Sequence, residues 1–164
     1  MPKYRPLSSQ ELQEFEKEFI EFLSANTVTA DDWVTLKAEN PEKAEQLIDL
    51  FSDVIMESVL QKIQFLELRS KNELMAFQCL EDKILLAGMR SNDPASDFTN
   101  PDFIQQGLQQ PPADLKIFTS EKPYDKPRER ELFEMTQAGC LVTDGKVFKA
   151  LSLAIAGSKD GEFK

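Results

Sequence analysis

The chain has 164 residues, 41% hydrophobic and 29% charged, with a formal net charge of −10 and no histidine. This is enough apolar material for a core without disulfide staples, and the missing imidazole excludes Ser-His and Cys-His nucleophile pairs and every His-containing metal site. Residues 1–60 carry 13 acids against 5 bases, whereas the remaining 104 carry 16 against 14, so the acidity belongs to the N-terminal part. A phosphate-tracking surface needs clustered Lys and Arg, so nucleic acids and anionic membranes are not the expected partners; a basic protein is.

Helix-start chemistry dominates the first third. Ser8 followed by Glu11 is a capping box, with Leu7 and Leu12 at the positions of a hydrophobic staple. Thr29 and Asp32 repeat the box, with Val28 and Trp33 as the staple, and Asn40-Pro41 places proline at a first helical position. These signals predict helices over about 9–25, 30–38 and 41–60. In the first, Leu12, Phe15, Phe19, Phe22 and Leu23 form one stripe; in the third, Ala44, Leu47, Ile48, Phe51, Val54, Ile55 and Val59 form the expected buried face.

From 62 to 90 the periodicity becomes extended. Three apolar runs, Lys62–Leu68, Glu73–Leu80 and Lys83–Met89, are separated by short polar breaks and predict a three-stranded antiparallel meander. Met75, Phe77 and Cys79 alternate with Leu74, Ala76 and Leu80, so both faces are partly apolar. Either helices cover both, or one face meets a partner or a second copy of the chain.

Six of the nine prolines fall between Ser91 and Pro127. Phe98, Phe103, Ile104, Leu108, Leu115, Ile117, Phe118 and Tyr124 are spaced along this segment, which reads as an ordered arm pinned by its aromatics. Asn100-Pro101-Asp102 predicts a short helix at about 101–107 within it. Arg128–Ala138 reads as a helix closed by Gly139, and Asp144-Gly145 opens a last one at about 146–156, with a frayed tail over 158–164. The expected fold is a single α+β domain over 1–164: helices over 8–60, the meander over 62–90, the proline-rich arm over 91–127 and helices over 128–156.

Several residues could carry chemistry. Glu45, Asp49, Asp53 and Glu57 place an acid at every fourth position of the third helix, with no base four residues from any of them. The row is a solvated face, a docking stripe for a basic partner, or part of a carboxylate metal site. Asp31-Asp32 in the first turn of a helix suits capping. Cys79 alternates with core residues, and Cys140 follows a helix-ending glycine; neither has an imidazole to activate it. Lys122, Lys126, Arg128 and Arg130 form the one basic cluster, diluted by Glu121, Asp125 and Glu129. The two closing helices loosely suggest a helix-turn-helix, which the charge balance opposes. No phosphate-binding glycine loop and no GxSxG elbow occurs.

Asn40-Pro41-Glu42 leading into Leu50-Phe51-Ser52-Asp53 and Val59-Leu60, the meander around Phe77–Leu80, and Gly139-Cys140 with Asp144-Gly145-Lys146 resemble a small family of bacterial cytoplasmic proteins without established activity. The resemblance implies a bacterial, cytoplasmic origin and carries over no functional residues.

The function expected from these residues is a non-catalytic protein-interaction domain, adaptor or regulatory. Its face is Glu45, Asp49, Asp53 and Glu57, or the aromatic arm at Phe98, Phe103 and Ile104, or the second sheet face. The alternatives are a small carboxylate- or metal-dependent enzyme or ligand-binding domain, and an obligate homodimer. No cofactor is expected. The absence of a secretion signal, of any apolar run long enough for a membrane span, and of a disulfide framework predicts a reducing cytoplasm.

Overall fold

The computed structural model describes residues 1–111 and 114–157. Pro112 of the arm and the tail expected over 158–164 lie outside them. The chain forms two compact units, Met1–Gln61 and the residues from Lys62 onward. The described residues are α+β, with seven helices and one five-stranded antiparallel sheet.

The first unit is built from α1 (Ser9–Glu14), α2 (Glu16–Ala25), α3 (Ala30–Glu39) and most of α4 (Pro41–Lys62). Both predicted capping boxes form: the Ser8 and Thr29 side chains accept from the Glu11 and Asp32 amides, and each acid accepts from its cap's amide in return. The predicted first helix is two, because Phe15 (φ −103°, ψ 24°) leaves helical geometry and ends α1 as it begins α2.

Leu7, Phe19, Leu23 and Phe51 form the core of this unit, and the other staple residues, Leu12, Val28 and Trp33, pack against it. Phe19 meets Trp33 edge-on at 5.1 Å and Phe51 at 4.9 Å. The buried Ser52 hydroxyl donates to the Ile48 carbonyl (2.7 Å) and accepts the Leu7 amide (2.9 Å), fixing where the chain enters α1. Val54 and Val59, expected in the buried face of α4, are exposed. The face that packs is narrower than hydropathy alone implies, running through Ala44, Leu47, Ile48, Phe51 and Ile55.

The second unit holds the meander where it was expected: β1 (Phe65–Arg69), β2 (Glu73–Cys79) and β3 (Lys83–Arg90). Two further strands extend it. β4 (Lys116–Pro123), inside the proline-rich segment, pairs with β3, and the short β5 (Leu141–Val142) pairs with β1, giving the order β4-β3-β2-β1-β5. The arm is therefore part of the sheet, and it also contains α5 (Pro101–Gln109). α6 (Arg128–Gln137) and α7 (Lys146–Ala156) complete the unit.

Strand register sorts the side chains by face. Phe65, Gln78 and Leu85 lie in one cross-strand ladder, as do Leu74, Met89 and Ile117. This face packs with Phe98, Ile104 of α5, and Phe148 and Leu151 of α7. On the other face Phe77, Ile84 and Leu86 line a recess with Glu131 and Met135 of α6. Helices thus lie on both faces, which accounts for the doubly apolar strand pattern. Gly145, the cap of α7, has φ +83°, and a Cβ there would sit 2.6 Å from the Phe65 ring, so this corner requires glycine.

Candidate functional site

The acidic row of α4 is compensated from a distant part of the chain. Asp53 accepts the Lys3 amide at 2.7 Å and the Tyr4 amide at 3.4 Å. Glu57 accepts the Tyr4 hydroxyl at 2.5 Å and lies 3.6 Å from the Lys3 ammonium. Asp49 lies 3.7 Å from the amine of Met1. Glu45 is exposed and has no partner among the described residues. Three of the four acids thus have partners, none of them on the helix itself. These partners stand about fifty residues upstream in the chain.

Two of the three candidate residues of the aromatic arm do not present a surface, whereas Phe103 is half-buried and lines a recess with Gln106 and Gln110. Phe98 is 1% and Ile104 3% exposed, both in the core cluster of the sheet, and Phe103 packs against them with its ring 5.2 Å from Phe98, edge to face. Phe98 and Ile104 anchor this segment in the core.

The remaining candidates serve the fold. Asp32 closes the α3 box, and its hydrogen bonds from Thr29 hold its carboxyl below the usual aspartate range. Of the basic cluster, Lys122 pairs with Glu131 (3.3 Å) and Asp125 (3.6 Å), while Lys126 and Arg130 both reach Glu134. Arg128 donates to three main-chain carbonyls, those of Leu80 (3.0 Å), Ile63 (2.5 Å) and Cys79 (3.2 Å). Burial pushes the Cys79 thiol up to about 11 against the lowering influence of Arg128, and raises the Cys140 thiol as well. Neither is poised as a nucleophile. Among the described residues no group of three or more Cys, Asp and Glu is placed to hold a metal ion.

One concave site was not read from the sequence. A groove of about 550 Å³ opens between α7 and the sheet, floored by the Phe65–Gln78–Leu85 ladder and walled by Phe148 and Leu153. Lys149 and Ser152 complete its lining, and the Lys149 ammonium stands 5.1 Å from the centre of the Phe65 ring. A neighbouring recess of about 390 Å³ shares Leu85, Phe148 and Ser152 and runs on past Ala87 and Thr119. The signal available in sequence was the placement of Lys149 and Ser152 together on one side of the last helix. The floor comes from three strands and could not be assembled without their register.

Residues 1–156 match the Family of unknown function (DUF6495), and the chain belongs to that family. No curated protein and no solved structure matches it. Among the described residues no helix is long and apolar enough to cross a membrane.

Proposed function

We propose that the protein is a non-catalytic interaction module that receives a basic segment of a protein partner on the outward side of α4, in a reducing cytoplasm. One observation carries this reading. Leu50 and Val54, each 56% exposed and one helical turn apart, stand beside Asp53 and Glu57, and those acids already hold Lys3 and Tyr4 of the same chain. An exposed apolar pair bordered by acids suits a segment that brings both aliphatic contact and positive charge. The intramolecular contact illustrates the chemistry that this row accepts. The net charge of −10 speaks against nucleic acid and anionic membranes as partners, and the two free, buried thiols support the compartment.

The enzyme alternative requires several carboxylates from different elements to converge on one pocket. The test is capture from native extract of the source cells with the protein tagged at its C-terminus, comparing wild type with a Leu50→Ser/Val54→Ser variant. A stoichiometric protein is expected on the wild type at low salt, released at high salt and absent from the variant. Equal capture by both forms, or none, contradicts the proposal.

A further inference from the structure

We propose that the groove between α7 and the sheet binds a small amphipathic carboxylate, with its apolar body on Phe65, Leu85 and Phe148 and its charge at Lys149. The site is independent of the α4 face. Its volume of about 550 Å³ falls within the range of small-molecule pockets, roughly 300–1,000 Å³, which join apolar walls to a few placed polar groups.

Those polar groups are present, and apart from the stacking of Lys149 on the Phe65 ring they are unengaged among the described residues. The side chains of Gln78, Lys149 and Ser152 make no hydrogen bond or ion pair among the described residues. In a chain with ten more acids than bases, the lining of this groove contains no carboxylate and one ammonium. The charge that complements the groove is therefore negative, opposite to the charge expected of the α4 partner. Lys149 is held over the Phe65 ring, which places its positive charge at the edge of the apolar floor. Lys149 and Ser152 are three residues apart on α7 and share its groove side, while Gln78 faces them from the centre of the three-strand ladder. A monocarboxylate can accept from all three donor types. The adjoining recess, lined by Ala87, Thr119, Ile155 and also by Ser120 and Glu121, gives an aliphatic chain room to continue beside Leu85 and Phe148. A rigid compact acid would leave that second recess empty, so the geometry favours an elongated chain.

The probe is dodecanoate below its micellar concentration, titrated calorimetrically into wild type, Lys149→Gln and Ser152→Trp, with dodecyltrimethylammonium as the charge-reversed control. Wild type is expected to bind one dodecanoate saturably. Lys149→Gln should weaken this about tenfold, the effect of losing one ion pair worth about 1.4 kcal/mol. Ser152→Trp, which fills the groove, should abolish it, and the cationic control should not bind. Lys149 is exposed, so the Gln variant should keep the wild-type urea midpoint, and a loss of affinity in it is not a loss of fold. Absence of saturable binding to wild type overturns the proposal. So do equal affinities for wild type and Lys149→Gln, binding of the cationic control as tight as that of dodecanoate, or occupation of the groove by a captured protein with no carboxylate binding.

Discussion

The backbone amide of Lys3 donates to the Asp53 carboxylate at 2.7 Å, joining residues 50 apart in sequence. The contact reverses the sign of a mutation. On an uncompensated acidic face, removing Asp53 would relieve repulsion and stabilise the helix. Here Asp53→Ala should destabilise the protein by about 1 kcal/mol, the net worth of a hydrogen bond to a charged acceptor at a partly exposed site. Glu45→Gln, at the one member of the row without a partner among the described residues, should leave stability unchanged or slightly raised. Urea unfolding of the two variants side by side checks both signs.

Glu11 sets part of the acid response. Arg5, bound to it at 2.8 Å and 2.9 Å, and the Ser8 amide lower its carboxyl from the ordinary 4.5 to about 2. A carboxyl whose folded value lies below its unfolded value stabilises the fold above the unfolded value. That contribution is lost as pH falls from about 4.5 toward about 2. Glu11→Gln should therefore be less stable than wild type at pH 7, and the gap should close by about pH 2. Urea midpoints followed across that window measure it.

Arg128 ties the end of β2 and the short link between α4 and β1 to the start of α6 through the carbonyls of Cys79, Leu80 and Ile63. Arg128→Ala removes these donors and should cost about 2–3 kcal/mol, since part-buried carbonyls lose their partners. The Leu80 carbonyl keeps the Tyr124 hydroxyl at 2.8 Å, so the turn should loosen without detaching. Arg128→Lys, which has no planar fork to span three acceptors, should fall between the two in chemical denaturation.

Gly88 lies under the Phe118 ring of β4, and a Cβ there would come within 2.4 Å of it. Gly88→Ala forces the ring aside and should cost about 1–3 kcal/mol, the range for overpacking. Adding Phe118→Leu should recover part of that loss. A double-mutant cycle that shows no coupling would remove the contact as the cause.

Cys79 and Cys140 should be inert to thiol reagents in the folded protein and should both react in denaturant. Burial keeps each protonated near neutral pH. Rapid labelling of Cys79 in native buffer contradicts its place in the core.

What the sequence revealed was chemistry that acts within a turn or two of itself. Ser8 with Glu11, Thr29 with Asp32, and Asn100 before Pro101 each satisfy their own helix end, and the structure contains all three starts. β4 was obscured because prolines 111, 112, 123 and 127 surround it, a composition that an edge strand tolerates and a central strand does not. β5, with two residues, carries no readable period. The partners of Asp53 and Glu57, and the ladder that floors the α7 groove, are assembled across long separations that hydropathy and spacing do not encode. Phe98 and Ile104 show the converse: aromatic and aliphatic residues in an irregular segment mark where it is anchored as readily as where it is displayed.

The most direct test of the α4 interaction face is amide hydrogen exchange on the wild-type protein alone and in the complex captured at low salt. Exchange should slow in Met1–Arg5 and along Asp49–Glu57 of α4, an effect lost on raising the salt, with α7 and the sheet unchanged. Unaltered exchange in α4, or protection confined to the sheet and α7, would contradict that face.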